Sequence, residues 1–213
     1  MIWPYLLGAI LLIVVVCAVD FTLMARRIDR LNRTVVKSRL ALAHALNARA
    51  RYAHEFADLG VLDVASSILL IDAAEACQSA SMLPLVDDGL DTIELSSQSH
   101  SLVEASPAQI TTPRKEGVDR RSLESTLSRT LRLTVDELTE EELSTAVESC
   151  EEGEEICSLY EKLERARLDV RMTRSFHNSH VSRIHDVRRG IIVRIFFIAG
   201  RAPLPQTVDI DDE

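Results

Sequence analysis

The chain has few aromatic residues, 4% of the total, and only 7 glycines and 6 prolines among 213 residues. Any core must therefore be aliphatic, and the shortage of turn formers argues for helices over a turn-rich β fold. Basic residues are the minority charge: 24 Lys and Arg against 33 Asp and Glu, for a formal net charge of −9. That balance disfavours nucleic acid as the main partner, because phosphate binding needs a basic face. The sequence contains no Gly-rich phosphate loop and no G-x-S-x-G, H-E-x-x-H or EF-hand pattern, so no enzymatic activity and no cofactor are expected. Cysteine is sparse. Cys17 falls in an apolar stretch, and Cys150 and Cys157 are seven residues apart. On one straight helix that spacing is ~10.5 Å, too long for a disulfide. Reduced thiols in a reducing compartment are the expectation.

One long apolar run is present. Ile2–Val19 is apolar apart from Pro4, Tyr5, Gly8 and Cys17, and Phe21, Leu23 and Met24 extend it past Asp20. With that extension it reaches the ~20 residues a membrane-spanning helix needs. Trp3 and Tyr5 stand at one end, where amphipathic rings favour headgroups. No basic n-region precedes the run and no small-x-small cleavage site follows it, which favours an uncleaved anchor over a signal peptide. Arg26 and Arg27 open a cluster of six basic residues up to Arg39, with Asp29 the one acid among them. The positive-inside rule then places the following domain in the cytoplasm and the N-terminus outside.

Beyond the run the hydrophobic period becomes helical. Ile28, Leu31, Val35, Ser38, Leu42, Ala45, Arg49, Tyr52, Phe56 and Leu59 alternate steps of four and three, an a/d seam on a helix from about Asp20 to Leu59 that continues the membrane segment. Gly60 reads as its C-terminal cap, and Asp63 as the N-cap of a second helix, Val64 to about Met82. Ala65, Ile68, Leu69 and Ala76 are expected on the inward face of that helix, with Asp72 opposite. Residues 84–117, rich in Pro, Ser, Thr and Asp, read as a flexible linker with a short apolar contact around Leu90–Leu95. A third helix is expected from Arg120 to Leu133, with Leu123, Leu127 and Leu131 on one face. Thr139 and Glu142 form a capping-box pattern for a short helix to Cys150. A last long helix carries a second seam: Ile156, Leu159, Leu163, Ala166, Val170, Thr173, His177, His180, Ile184 and Val187.

Isolated amphipathic helices are marginal in water, so the two seams are expected to pack on each other. The fold class is thus all-α: an N-terminal transmembrane helix continuing into an antiparallel helical bundle with coiled-coil-like seams. Its parts are an anchor over 1–25, a helical hairpin over 26–83, the linker, the rest of the bundle over 118–200, and a disordered, solvated acidic tail over 201–213. An antiparallel last helix returns to the membrane. Ile191–Ile198 would then either dock on the bilayer, with Arg188, Arg189, Arg194 and Arg201 near anionic headgroups, or close the bundle core.

His177 and His180, three apart, are the candidate metal ligands, and Cys150 and Cys157 could complete a zinc set with them. The alternative is that both histidines are polar seam residues that fix register. No Cys or His spacing matches a common zinc module, and no metal is expected. The Glu-rich stretch Glu137–Glu155 reads as a solvated helix face.

Thr173-Arg174-Ser175-Phe176-His177-Asn178-Ser179-His180-Val181 resembles the A-R-x-[FY]-Y-N-x-x-V motif of the LemA family, and Ile198-Ala199-Gly200-Arg201-Ala202-Pro203-Leu204-Pro205 is similar to that family's apolar-Pro ending. Arg174, Phe176, Asn178 and Val181 carry the motif. His177 stands where the family more often has Tyr, and the Pro-Asn step expected after the first basic helix is replaced by Ala50-Arg51-Tyr52-Ala53. The resemblance implies a bacterial, membrane-anchored helical bundle with no agreed activity. The expected function is a scaffold or interaction protein of the cell envelope. Its expected partners are the lipid bilayer and a protein or second copy bound through the seams. The alternative is a pH- or metal-responsive membrane sensor using the seam histidines.

Overall fold

The computed structural model describes residues 3–86, 119–149, 153–190 and 204–212. Among these the chain is helical throughout its regular structure: α1 (Trp3–Asp58), α2 (Val64–Ser79), α3 (Arg120–Thr134), α4 (Glu140–Ser149) and α5 (Gly153–Arg189). No Pro or Gly lies between Gly8 and Gly60, so nothing breaks the hydrogen-bond ladder of α1 over its 56 residues, ~84 Å of helix. Gly60 then adopts φ 71°, the left-handed conformation in which a Cβ is strained. Asp63 caps α2 by accepting from the Ala65 and Ser66 amides at 3.0 and 3.2 Å. A hydrogen bond from the Ser66 side chain, ahead of the amide bonds, holds its carboxyl below the usual range. Asp119 caps α3 in the same way. The Thr139 carbonyl opens α4 by accepting from Leu143.

α1 and α5 run antiparallel, as the seam pairings require. Val35 packs with Val181 and Ile184, Ser38 meets His177, Leu42 and Leu46 pack with Val170, and Phe56 stacks on Tyr160 with ring centroids 5.9 Å apart. Residue numbers rise along one helix as they fall along the other. Of the second seam, Ile156, Leu159, Leu163, Ala166, Val170, His177 and Ile184 are buried. His180 departs from its expected place. It is half-buried, and Val181 takes the inward position instead. The step after His177 is four residues, not three, which follows the 3.6-residue period of a straight helix.

The two-helix core is closed by α2 and α3, which pack on each other and on the far end of α1. The expected inward face of α2 is overturned. Ala65, Ile68 and Leu69 face outward, and Leu70, Ala73, Ala74 and Cys77 are buried. Leu70 supplies the one large side chain of that face, and Ala73, Ala74 and Cys77 meet Ala50, Ala53 and Ala57 of α1 in the same cluster, where small side chains let the backbones come close. Gly153 answers a similar demand, since a Cβ at that position would run into the Val147 carbonyl oxygen of α4.

Two segments expected to lack order are partly packed. Leu85 and Val86, at the start of the supposed linker, are buried against Leu42, Leu46 and Val170. The rest of the linker, with the expected Leu90–Leu95 contact, lies outside the described residues. So do Cys150, Glu151 and Glu152, as well as Ile191–Ile198, Arg194 and Arg201. The solvated, disordered tail is corrected for residues 204–212. Pro205, Val208 and Ile210 are buried, the last two in the same cluster as Leu42 and Leu46.

At its other end α1 leaves the bundle. Ile28 is the first buried residue of α1 among the described side chains. Before it, Leu11, Leu12, Val14, Val15, Val16, Val19, Phe21 and Leu23 are all exposed. Among the described residues no helix is long and apolar enough to cross a membrane. Met1 and Ile2, and the side chains of Pro4, Tyr5, Leu6, Leu7, Ala9, Ile10 and Ile13, lie outside the described residues.

Candidate functional site

Polar chemistry gathers at two places in the bundle. The first is a buried ion cluster between α1 and α3. Arg49 is 2% exposed and Glu124 1%. Arg49 donates from Nη2 to Glu124 Oε2 at 3.0 Å and to the Glu124 carbonyl at 3.1 Å, and from Nη1 to Ser128 Oγ at 2.8 Å. Arg120, on α3 four residues before Glu124, donates from Nε to Oε1 at 3.4 Å. Its remaining donors reach the Ser81 and Leu83 carbonyls and Asn47 Oδ1 at 2.8, 3.0 and 3.1 Å. One carboxylate thus sits between two guanidiniums, and Arg120 also ties the end of α2 to α1. Three charges this deeply buried are tolerable because nearly every polar atom finds a partner. Beside them is Cys77. Burial, with the Glu124 charge second, pushes its thiol up to about 12, so it stays protonated and unreactive at neutral pH.

The second place is the groove along α3 and α5 that receives residues 204–212. Asn178 reads the Val208 backbone on both sides: Nδ2 donates to its carbonyl, and its amide donates to Asn178 Oδ1, each at 2.9 Å. Arg174 donates to the Ile210 carbonyl at 2.8 Å. The Asp211 amide donates to Ser125 Oγ at 3.2 Å, and His185 Nε2 to the Pro205 carbonyl at 2.8 Å. The acids make ion pairs. Asp211 meets Arg129 and Arg132, each at 3.0 Å, and Asp212 meets Arg174 at 2.6 Å. The two carboxyls are shifted in opposite senses. Hydrogen bonds from Arg129 and Arg132 hold Asp211 below the ordinary range. Burial pushes Asp212 up, against the pull of Arg174.

A cavity of about 130 Å³ separates the two places, lined by Arg49, Ser128, Arg132, Asp136, Arg167, Arg171 and Asp212 among others. Arg167 spans it, donating to Asp136 Oδ2 at 2.7 Å and to Glu164 at 2.6 Å. A guanidinium-lined cavity of this kind suits carboxylate or other oxyanion groups, and Asp136 and Asp212 are the carboxylates already there.

The LemA-like motif residues now have definite positions. Arg174 and Asn178 hold the tail, Val181 is buried in the seam, and Phe176 is 58% exposed. The candidate metal pair is not brought together as a site. His177 is fully buried, with Nδ1 3.0 Å from Ser38 Oγ, whereas His180 is half-buried. The zinc set with Cys157 is excluded by distance, since Cys157 and His177 share α5 twenty residues apart, ~30 Å along the axis. Among the described residues no group of three or more His, Cys, Asp and Glu could hold a metal ion. Of the proposed membrane-contact residues, Trp3, Arg26, Arg27 and Arg189 are exposed and Arg188 is half-buried. The Tyr5 side chain and Arg194 lie outside the described residues.

The sequence reading identified Arg49 as a polar seam residue and missed its partners. Arg120, Glu124 and Ser128 recur every four residues, a polar stripe that signals a shared helix face. The tail also carried a signal, the alternation Val208-Asp209-Ile210-Asp211, whose period of two suits an extended segment with one apolar side. No known protein family, curated protein or solved structure matches the chain.

Proposed function

We propose that the chain is a membrane-anchored helical scaffold or interaction protein of the bacterial cell envelope, working through its helix faces without catalysing a reaction. The observation that carries the reading is the bare first part of α1. Val14, Val15 and Val16 are exposed on successive ~100° steps around the axis, so apolar surface wraps most of a helix that has left its bundle. A helix apolar on most sides calls for an apolar medium. The basic cluster from Arg26 onward supports a cytoplasmic domain with the N-terminus outside. The resemblance to the LemA family supports a bacterial envelope setting. Self-association, or capture of a protein partner, through exposed helix faces belongs to the same proposal.

The test is gentle detergent extraction of the tagged full chain, followed by light scattering and identification of co-purifying proteins. A defined partner or a stable oligomer is expected. A strictly monomeric chain with nothing bound would overturn the interaction reading. Fusion of reporters active on one side of the membrane to the C-terminus tests the orientation.

The burial of His177 on the seam, opposite Ser38, favours a second reading: a proton-responsive membrane sensor. In this reading acid loosens the α1–α5 seam. Equal thermal stability at pH 5.5 and 7.5 would eliminate it.

A further inference from the structure

Residues 204–212 belong to no helix or strand, and they are held in a particular manner. Side chains anchored on α3 and α5 bind their main chain at Pro205, Val208, Ile210 and Asp211. Side chains do the rest. Val208 and Ile210, two apart, enter the apolar cluster beside Leu42, Leu46 and Val170, and the consecutive Asp211 and Asp212 take arginines, while Asp209 is exposed. Main-chain bonds supply affinity and alternate pockets supply selectivity, which is how grooves recognise extended peptides. The apolar cluster around Phe56, Leu127 and Leu163 and the one around Val35, Val181 and Ile184 both form without it, while Val208 and Ile210 complete the cluster between them.

We propose that the groove between α3 and α5 is a recognition site for an extended peptide of alternating apolar and acidic residues. Residues 204–212 are its exchangeable occupant in cis, and the same segment of a second copy of the chain is its ligand in trans. The sequence Val-Asp-Ile-Asp-Asp is the one the groove demonstrably fits. Once that segment leaves, Arg129, Arg132 and Arg174 lose the carboxylates of Asp211 and Asp212, so an incoming acidic segment meets a cationic face. Tethering favours the cis state through a high effective concentration, and exchange between copies needs the cis contact to open first. The inference rests on the interaction reading above and names the partner's chemistry.

The test uses a labelled synthetic peptide of residues 204–213 and two forms of the chain, full-length and ending at residue 203. Fluorescence anisotropy is expected to show one peptide bound per truncated chain, and binding at least about tenfold weaker to the full-length chain, where the cis segment competes. A peptide with Val208→Asp and Ile210→Asp is expected not to bind. Equal binding to both forms, or equal binding of a scrambled peptide, would overturn the proposal by showing mere charge attraction. A truncated chain that keeps its helical circular dichroism but binds nothing would overturn it too. So would a truncated chain that loses its helix, since the segment would then be an obligatory part of the fold. For the second copy, the truncated chain is mixed with a full-length chain carrying Asn178→Ala, whose own groove is weakened. A 1:1 complex by light scattering is expected, and peptide binding without such a complex would rule out the second copy as ligand. None of these readouts depends on where Trp3–Ala25 resides, so they can fail while the membrane reading stands, and the reverse.

Discussion

The two parts of α1 are one unbroken helix in two different settings. From Ile28 onward, one stripe of the helix is buried, through Val35, Leu42, Leu46, Ala53 and Phe56. The other side carries Arg33, Lys37, Arg51 and Glu55 in the open. Before Ala25 the charged side disappears apart from Asp20, and large apolar residues are exposed instead. The first part is the more apolar of the two, and the distribution around the axis differs as well: a stripe calls for another helix, while a full wrap calls for an apolar solvent. Arg26 and Arg27 mark where one regime gives way to the other.

The contrast can be broken by substitution, and the largest effect is expected inside the packed part. Replacing Glu124 with Ala leaves Arg49 and Arg120 buried without their carboxylate, which is expected to lower stability by about 3–5 kcal/mol; urea unfolding of the full chain in detergent followed by circular dichroism measures it. Leu42→Ala opens a cavity at a fully buried position and is expected to cost about 3 kcal/mol in the same assay. Gly60→Ala forces a Cβ into a positive φ, at about 1 kcal/mol. Leu12→Ala, in the bare part, is expected to leave the unfolding midpoint within about 0.5 kcal/mol of the parent. If Leu12→Ala were to destabilise the bundle as Leu42→Ala does, the division of α1 into two regimes would be wrong.

A finer contrast lies between the two tail acids. Asp211 is held below its ordinary value near 3.8 by Arg129 and Arg132. Its contribution to docking is therefore fully present above that value and lost as pH falls through the lower, docked-state one. Asp212 is raised by burial. Its charge opposes docking above the raised value, and the opposition lifts as pH falls through it. Asp211→Asn is thus expected to speed hydrogen exchange at the Val208 amide at neutral pH, and Asp212→Asn to slow it or leave it unchanged. The reverse order would contradict the assignment of the two environments.

How much of this was legible depended on how locally each feature is encoded. The α1 and α5 seams are readable because each repeats over many turns, and Gly60 and Asp63 mark helix ends through their own backbone chemistry. The buried face of α2 is not. Its sequence is apolar on nearly every side, and packing chose the small residues Ala73, Ala74 and Cys77 over the larger Ile68 and Leu69. The tail was misread for a related reason. Acids near a chain end look solvated unless the arginines that receive them are known, and Arg129, Arg132 and Arg174 are distant in sequence. The Arg49–Glu124 pair spans 75 residues, so the place of Arg49 on the seam is legible locally and its partner on α3 is not.

Liposome flotation in the presence of high salt and alkaline carbonate puts the membrane proposal to trial. The full chain is expected to rise with the vesicles, and a chain beginning at residue 26 to stay behind with its helical spectrum intact. A full-length chain that remained in the dense fraction, folded and dispersed without detergent, would contradict the anchor on which the proposed function stands.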